Sequence, residues 1–491
     1  MRKALILMLI VLSLVSGALV MAQDNALPDL GGRVITVAVE NAYPPFNFID
    51  EVTNQPGGWD YDAVNEICAR LNCVPDFIET PWDGMILAVS QGEYDVAGDG
   101  ITITAERAEI VDFSIGYIAT EQVLLVRIDE DRFTSIDELV ADEALIIGTQ
   151  PGTTNYELAA ELLPESRIAA YDTFGVAVQA LIDGQVDAVF MDSTAGQGYT
   201  GLNGDRVKIT GEPMTSDQLG FIFPKGSDLT AAFNAALESM IADRTLEVIN
   251  GIWFPKALPD LGGRTISIAI ENAYVPFNSI DPVTNEAVGW DYDAINEICA
   301  RVNCVPEFIE TPFEGTILAV SQGEFDMSPN GFTIAEDRKE VVDFSIGYAR
   351  TEQVLLTRID EDRFASFEEF AADENLLIGV QTGTTNYELA VSLLPESRIV
   401  AYEQFGVAIQ ALIDGQVDAV VIDSTAGQGF VGVNADRVKI TGRPLLSDQL
   451  AFIYPKDSEI RAAFDLALIA MMADGKLDEI NAAWFAPAVT E

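Results

Sequence analysis

Hydrophobic and polar positions follow two alternating periods along the chain. Short β-branched runs such as RVITVAVE (33–40) are separated by stretches with helical spacing such as WDYDAVNEICARL (59–71). Further strand candidates are PDFIET, YDVAGDG, EQVLLVRI, ALIIGTQ, RIAAY and VDAVFMD, and further helix candidates are DGMILAVSQG, TAERAEIVD, TNYELAAELL and TFGVAVQALIDG. This alternation predicts an α/β fold with largely parallel sheets covered by helices.

The whole pattern occurs twice. ALPDLGGRVITVAVENAYPPFNF (26–48) returns as ALPDLGGRTISIAIENAYVPFNS (257–279), and LIDGQVDAVFMDSTAGQG (181–198) returns at 412–429 with one stretch altered. Both pairs keep an offset of 231 residues, so the copies align without insertion. We assign repeat one to 26–256 and repeat two to 257–487. A period this long indicates tandem domains rather than a solenoid.

Polar residues cluster where the predicted strands end. In repeat one these ends are 40–43, 100–107, 150–154 and Asp192, and ligands of open α/β sheets collect beyond such ends. Together they offer one strong cation, carboxylates, a helix N-terminus and aromatic rings. A zwitterion needs this combination, because a guanidinium grips a carboxylate and a carboxylate pairs with an ammonium group.

The charge balance excludes several classes of function. The 491 residues include 78 Asp and Glu, 27 Lys and Arg and no His, for a formal charge of −51. Such a surface repels nucleic acids and anionic lipid. The absence of His removes Ser-His and Cys-His nucleophile pairs and imidazole zinc sites. We predict no nucleic-acid partner, no metal and no cofactor.

The first 22 residues have the character of a secretory signal peptide. Arg2 and Lys3 precede an apolar run, and small residues end at Ala22. An uncleaved membrane anchor is the alternative, because the apolar run is long for a signal. No later stretch approaches the 18 apolar residues of a spanning helix. We therefore expect an exported protein that is soluble in the periplasm or another extracytoplasmic space after cleavage.

The four cysteines form two copies of one pattern. EICARLNC and EICARVNC place Cys68 five residues before Cys73, and Cys299 five residues before Cys304. Export permits disulfides, and this spacing at a helix end can close one local bridge per copy. Metal binding is the alternative, but the flanking residues offer no further ligands. We favour two short structural disulfides.

Six segments of each repeat carry a family resemblance. In repeat one they are ENAYPPFNF, GGWDYDAVNEICARL, GITITAERAEIVDFS, GTQPGTTNYELA, VDAVFMDS and FIFPKGSDL. In this order they resemble the bacterial extracellular solute-binding proteins of family 3. These are amino-acid receptors of ABC importers, such as glutamine- and lysine/arginine/ornithine-binding proteins. The paired cysteines also resemble a local disulfide of the family's basic-amino-acid binders.

The resemblance implies the architecture of each repeat. Each should be a periplasmic-binding-protein-like (type II) module of two α/β lobes joined by a two-strand hinge that closes over ligand. In repeat one, lobe one is expected at 26–119 and 218–256 and lobe two at 120–217. In repeat two, lobe one is expected at 257–350 and 449–487 and lobe two at 351–448.

The resemblance also implies how the ligand is held. Arg107 matches the clamp on its α-carboxylate, Gly100 and Thr102 match neighbouring contacts, and Thr154 matches a helix start that adds N–H donors. Asp192 matches the carboxylate that takes the α-ammonium. The remaining matches are two aromatic walls and one contact to the ligand's tip: Tyr43, Trp82 and Glu40. The equivalent positions in repeat two are Glu271, Tyr274, Phe313, Gly331, Thr333, Arg338, Thr385 and Asp423.

Each of these residues has a simpler structural interpretation. Arg107 could be an exposed helix residue paired with Glu106 or Asp112. Thr154 begins TNYE, a capping box with Glu157.

Three further site candidates also have structural alternatives. Asp192 could cap the turn into STAGQG. Tyr43 and Trp82 could be ordinary packing.

The charges at the side-chain end bear on specificity. Glu40 and Glu271 disfavour acidic amino acids, which would meet like charge in a desolvated cleft. Amide and cationic side chains both remain open, because a carboxylate accepts hydrogen bonds from either. Asp99 in AGDG would favour a cation in repeat one, and Asn330 in SPNG would relax that preference in repeat two. Either residue before Gly is also ordinary turn chemistry.

The function that follows is transport rather than catalysis. We expect a substrate-binding protein of an amino-acid ABC transporter, which binds glutamine-type or arginine/lysine-type L-amino acids in both clefts. It should be a monomer that delivers its ligand to a membrane permease, with no enzyme activity. The alternatives are a dehydratase-like enzyme on the same fold, with Glu40 as its acid or base, and a solute-sensing module.

Overall fold

The computed structural model describes residues 27–50 and 52–485, and repeat one contains two main sheets. We call the sheet built from both ends of repeat one its terminal sheet. Its spatial order is Cys73–Glu79, Arg33–Val39, Val96–Ala97, Ile222–Pro224 and Val111–Phe113. The predicted signal peptide at 1–22 lies outside the described residues.

The middle of repeat one forms the second sheet, which we call the central sheet. Its spatial order is Ile168–Ala170, Ile147–Thr149, Ala188–Asp192, Gln122–Arg127 and Val207–Thr210. The chain crosses between the two sheets at Ile118–Thr120 and Asp217–Leu219, which pair antiparallel. A small antiparallel sheet of Ala42–Tyr43, Asn47–Ile49 and Pro56–Gly57 borders the crossing.

The sheets are mixed, whereas the sequence pattern predicted largely parallel ones. Arg33–Val39 pairs parallel with Cys73–Glu79 and with Val96–Ala97. Ile222–Pro224, however, runs antiparallel to its neighbours, and so does Gln122–Arg127 in the central sheet. These two strands directly follow the crossings, so the chain enters each sheet in the opposite direction to the helix-connected strands.

Helices cover the sheets of repeat one. The first, Trp59–Leu71, buries Trp59, Val64 and Ile67 and ends at Asn72 in the left-handed conformation (φ 54°), a common helix terminator. No described helix reaches the length and hydropathy of a membrane span. The other helices are Met85–Ser90, Arg107–Ile110, Ile136–Ala141, Thr154–Leu162, Phe174–Ile182, Ser193–Leu202, Asp228–Ala242 and Thr245–Trp253, with a 3₁₀ turn at Glu165–Arg167.

Repeat two has the same element order, but its crossing strands are continuous. Ala349–Arg358 and Val438–Tyr454 each run through the crossing into the central sheet, and Val438–Tyr454 also pairs with strands of the terminal sheet. The equivalents of the terminal and central sheets are thereby joined into one seven-stranded sheet, and Arg264–Ile270 pairs with Cys304–Glu310 as a separate two-stranded sheet. The remaining strands are Arg264–Ile270, Ala273–Tyr274, Asn278–Ile280, Ala287–Val288, Cys304–Glu310, Ser328–Thr333, Asp343–Phe344, Ile378–Gln381, Ile399–Tyr402 and Ala419–Asp423.

The last helix of repeat one packs on repeat two. Thr245–Trp253 lies against Arg461–Ala473, so the two repeats share an interface. The helices of repeat two are Trp290–Val302, Thr316–Ser321, Glu336–Lys339, Phe367–Ala372, Thr385–Leu393, Phe405–Ile413, Ser424–Val433, Arg461–Ala473 and Lys476–Trp484, with a 3₁₀ turn at Glu396–Arg398.

The predicted disulfides are confirmed. Cys68 is bonded to Cys73 and Cys299 to Cys304, and no described cysteine is free. In each repeat the bond joins the end of the first helix to the start of the strand that follows it. It therefore fastens one helix to the edge of the terminal sheet.

We expect each disulfide to add modestly to stability, because it closes a loop of only five residues. By loop-closure entropy, Cys68→Ser/Cys73→Ser should lower the free energy of unfolding by about 2 kcal/mol. Urea denaturation of the full chain checks this, with Cys299→Ser/Cys304→Ser as the matched variant. An unchanged unfolding midpoint in both variants would contradict a structural role.

Candidate functional site

Each repeat has a cleft between its terminal and central sheets, and the predicted site residues line it. The space between the cleft walls, open solvent at the mouth included, is about 310 Å³ in repeat one and about 300 Å³ in repeat two. In repeat one, all eight predicted residues contribute: Glu40, Tyr43, Trp82, Gly100, Thr102, Arg107, Thr154 and Asp192. All eight equivalents contribute in repeat two: Glu271, Tyr274, Phe313, Gly331, Thr333, Arg338, Thr385 and Asp423.

A buried guanidinium spans the cleft. Arg107 donates one hydrogen bond to the carbonyl of Thr102 at 3.1 Å and another to the carbonyl of Gly152, on the central-sheet side, at 3.2 Å. Arg338 makes the same two contacts with the carbonyls of Thr333 and Gly383. These carbonyls engage two of the five guanidinium N–H donors.

The alternative of an exposed, paired arginine is wrong. Arg107 is only 9% exposed and lies with its Cζ 5.5 Å from the centre of the Trp82 ring. Burial lowers its pKa from the usual value. Among the described residues, no carboxylate forms an ion pair with Arg107 or Arg338, so the cation is available to an anion in the cleft.

The helix that starts at Thr154 is capped one residue earlier than TNYE suggested. Thr153 is the cap, and its hydroxyl accepts a hydrogen bond from the backbone N–H of Tyr156 at 3.1 Å. Thr154 is the first helical residue, and its hydroxyl lies 3.4 Å from the hydroxyl of Thr102 across the cleft. The capping-box interpretation of Thr154 is therefore wrong, and its side chain faces the cavity.

Asp192 faces the same cavity and is not a side-chain cap. It precedes the helix Ser193–Leu202 but makes no capping hydrogen bond there. Instead its carboxylate accepts from the Tyr43 hydroxyl at 2.8 Å and from the Asn155 amide at 3.4 Å. Burial raises its pKa to about 6, and the hydrogen bond from Tyr43 opposes that shift. Asp423 has the same contacts, and burial raises its pKa to about 6 as well.

Aromatic rings and one glycine shape the wall. The Tyr43 ring stacks on Phe46 and on Phe174, each with centroids 5.4 Å apart. Gly100 adopts φ +56°, and a Cβ there would lie 2.8 Å from Cε1 of Tyr43. A side chain at this position would displace the ring. Gly331 has the same constraint against Tyr274.

Carboxyl groups cluster in and next to the wall of the cavity in repeat one. Glu40 accepts a hydrogen bond from the Gln150 amide at 2.8 Å. Asn47 donates to Asp60 at 2.8 Å and to Asp99 at 2.7 Å. Burial raises the pKa of Glu40, of Asp60 to about 7, and of Asp99 well above its usual range, where the Glu40 charge adds to the shift.

Repeat two replaces one of these carboxyls by an amide. Asn330 accepts hydrogen bonds from the backbone N–H of Glu271 and from the Asn278 amide, each at 3.1 Å. It also donates to Ser328 at 3.0 Å. Burial still raises the pKa of Glu271 to about 7 and that of Asp291 to about 8. The two cavities therefore differ by one titratable group.

The cavity also contains residues that the sequence reasoning did not assign to the ligand. They are Gln150, Thr153, Asn155 and Phe174, with Gln381, Thr384, Asn386 and Phe405 in repeat two. Gln150 and Thr153 lie in the polar strand end 150–154, from which only Thr154 was assigned to the ligand. Asn155 and Phe174 lie within the first turns of helices, where pattern alone does not reveal which side faces a cleft.

No metal centre accompanies these groups in residues 27–50 and 52–485. There, no cluster of three or more His, Cys, Asp or Glu side chains is placed to hold an ion.

The comparison with known proteins agrees with the doubled cleft. The sequence profile of the bacterial extracellular solute-binding proteins, family 3, matches residues 35–256 and again 266–487. The chain belongs to this family. The relatives described below each align with less than half of the chain.

Three relatives illustrate the range of ligands. The glutamate-binding protein GluB of Corynebacterium efficiens is 32% identical over 39% of this chain and 62% of its own length, so the match spans less than two thirds of that relative. The L-cystine-binding protein TcyA of Bacillus subtilis is 31% identical over 45% of this chain and 81% of its own. An ancestral arginine-binding protein bound to glutamine is 33% identical, covers 45% of this chain and 98% of its own, and has a TM-score of 0.43.

The buried carboxyl of Asp60 should make stability depend on pH. Its pKa in the folded protein, about 7, lies above its pKa in the unfolded chain. The protonated carboxyl therefore makes its full contribution to the free energy of unfolding below about pH 4, and that contribution is lost as the pH rises through about 7. Asp60→Asn stays neutral and should gain stability relative to wild type over this interval, by up to about 1.4 kcal/mol per pH unit.

Urea denaturation of the ligand-free protein between pH 4 and pH 8 measures this difference. Asp291→Asn is the matched variant, and its advantage should keep rising until about pH 8. A difference between variant and wild type that stays constant with pH would show that the buried carboxyls are not the titrating groups.

Proposed function

We propose that the chain is an exported receptor of an amino-acid ABC importer and that each repeat binds one L-amino acid. The observation that carries this proposal is the buried Arg107, which has no carboxylate partner among the described residues and shares its cavity with Asp192. A guanidinium and a carboxylate lining one cavity are complementary to the two charges of a zwitterion. The same pair, Arg338 and Asp423, lines the second cavity.

The α-carboxylate is proposed to bind Arg107 and the N–H groups at the start of the helix Thr154–Leu162. The remaining guanidinium donors and the positive end of the helix both favour an anion. The α-ammonium is proposed to take the place of the Tyr43 hydroxyl or the Asn155 amide as a partner of Asp192, whose present contacts are at 2.8 and 3.4 Å. Ionic pairing would then return the pKa of Asp192 toward its usual value.

The side chain is proposed to be polar or cationic, of the glutamine or arginine/lysine type. It would extend toward Glu40 and Asp99, whose carboxyl groups are already costly to ionise in this buried environment. An acidic ligand side chain would bring a further carboxyl group to a site that already disfavours negative charge. A guanidinium or ammonium group would compensate the carboxylates, and an amide would donate hydrogen bonds to them.

Transport requires the cleft to open and close. We propose that 26–119 with 218–256, and 257–350 with 449–487, move as first lobes against 120–217 and 351–448. Contacts across the cleft, such as Gln150 to Glu40, hold the closed arrangement. Ligand would shift the equilibrium toward this arrangement by contacting both sides, and a permease would recognise it. The receptor is proposed to be monomeric and extracytoplasmic.

Catalysis is the alternative, and the raised pKa of Glu40 is the observation that favours it. A carboxyl group with a raised pKa in a cleft is a candidate general acid. Glu40 is, however, already hydrogen-bonded to Gln150, as expected for a residue that contacts a ligand tip. Incubation with candidate ligands separates the two functions, because a receptor returns the ligand unchanged and an enzyme releases a product.

Removing either arginine should silence one site and leave the other intact. Arg107→Ala and Arg338→Ala each delete a charge-assisted clamp worth at least about 3 kcal/mol, which is a loss of affinity of about 100-fold or more. Calorimetric titration of refolded, ligand-free protein with arginine and with glutamine measures this loss. We expect two ligands per wild-type chain and one per variant.

Arg167→Ala is the control for these titrations, because Arg167 is buried outside the cleft and bonded to the carbonyls of Leu139, Val140 and Leu145. It should cost stability and keep two sites. Normal binding of a solute by both clamp variants would refute the carboxylate clamp.

The exchange of Asp99 and Asn330 should change selectivity in opposite directions. Asp99→Asn removes a carboxyl from the first cavity, so its affinity for arginine should fall about tenfold relative to glutamine, the effect of about 1.4 kcal/mol. Asn330→Asp should do the reverse in the second cavity. Each is measured with the other site silenced at its clamp arginine, and an unchanged arginine-to-glutamine ratio in both would exclude this position as a determinant.

A further inference from the structure

The junction between the repeats is formed by one face of the last helix of repeat one. Val248 and Ile252 pack against the hydrophobic core of repeat two. Gly251 lies so close that a Cβ there would be 2.6 Å from Cγ2 of Ile469. Arg244, directly before the helix, donates to Asp465 at 2.7 Å and to the carbonyl of Phe344 at 3.3 Å. These four positions form one helical stripe.

The equivalent helix at the end of repeat two lacks this stripe. At the same offset, Val248 corresponds to Glu479 and Arg244 to Gly475. The two other positions are small residues: Ala482 for Gly251 and Ala483 for Ile252. The helix therefore has an apolar second face only where another repeat covers it.

The receiving surface differs between the repeats in a complementary way. Ile469 is buried at 3% exposure, and its counterpart in repeat one is the exposed Glu238. Asp465 corresponds to Asn234. Both of these accept a hydrogen bond from a backbone N–H, Asp465 from Ile346 at 2.9 Å and Asn234 from Ile115 at 2.8 Å.

The extra charge of Asp465 is therefore not needed to bind that N–H group, because Asn234 does so in repeat one. Asp465 is 3% exposed, and Arg244 of the other repeat supplies its counter-ion. Arg244 adopts φ 66°, the left-handed conformation that favours glycine, and Gly475 occupies the equivalent position with φ 77°. An arginine at this position adopts a backbone conformation that is unfavourable for it, and in return it forms the ion pair with the buried Asp465.

The interface reaches the crossing strand of repeat two. Phe344 and Ile346, which contact the junction, lie just before Ala349–Arg358. Arg350 of that strand also pairs with Glu66 of repeat one at 3.1 Å, and its counterpart in repeat one is Ala119. Repeat one is thus attached to the terminal sheet of repeat two and to the entrance of its crossing.

We infer that the junction is a specified head-to-tail docking surface that holds the two repeats in one fixed arrangement and cannot be extended by another copy. Head-to-tail contacts that do not close generate open chains of subunits. Here the outward ends carry Glu479 and Glu238 in place of Val248 and Ile469, so the two ends would bring like charges together. The inference concerns the junction alone and does not depend on which ligand the clefts bind.

The inference is tested by replacing two junction residues with the residues that the other repeat has at the equivalent positions. Val248→Glu/Ile469→Glu introduces side chains that the equivalent helices already accommodate at Glu479 and Glu238. Small-angle X-ray scattering of the full chain should show a larger radius of gyration, and thermal unfolding should separate into two transitions with a lower first midpoint. The controls are the single variants Glu479→Val and Glu238→Ile. Each changes an equivalent position that lies outside the junction and should leave the radius of gyration unchanged.

A second variant tests the ion pair without introducing charge into an apolar contact. Arg244→Gly/Asp465→Asn uses the residues of the other repeat, keeps the acceptor for Ile346 and relieves the left-handed arginine. It should still raise the radius of gyration or lower the first midpoint, with the single variants each producing most of the effect. If both double variants keep the wild-type scattering curve and unfolding profile, the repeats are not held by this surface and the inference is wrong.

Discussion

A buried guanidinium that has no carboxylate partner among the described residues is the constraint on which each cleft depends. Removing a cation from water is costly unless hydrogen bonds and an opposite charge compensate it. Arg107 receives part of that compensation from two carbonyl groups on opposite sides of the cleft. The arginine therefore connects the two sheets and still has donors for an anion. Tyr43 and Asp192 form a second link across the cleft, where a hydroxyl from one side meets a carboxylate from the other.

The features of the fold and the site that depend on local pattern could be predicted from the sequence. The helix at 59–71 and the strand at 33–40 have clear periodicity, and the offset of 231 residues defines the repeats. The arginine and aspartate of the site follow strand ends that α/β sheets bring together. The roles proposed for these two residues came from the family resemblance. Pattern alone would have described them only as an arginine in a helix and a cap at a helix start.

The remaining features depend on contacts distant in sequence. From the sequence, Asp60 is an ordinary acidic residue in the first turn of a helix. In the structure, Asn47 donates hydrogen bonds both to Asp60 and to Asp99, which lines the cavity. The choice of Thr153 over Thr154 as the cap depends on which hydroxyl faces the opposite lobe. Val248 and Glu479 occupy equivalent helical positions, and only the presence of a neighbouring repeat explains why one is apolar. The direction of the strands after each crossing likewise requires knowledge of the crossing itself.

Both clefts are proposed to bind a free amino acid, and counting the ligands bound per chain is the sharpest test of that proposal. The chain would be unfolded to release ligand, refolded, exchanged into excess arginine or glutamine and weighed by native mass spectrometry. Two working clefts predict two ligands per chain for at least one of these amino acids, bound without covalent change. A chain that takes up neither of them, or never more than one per molecule, would contradict two working clefts.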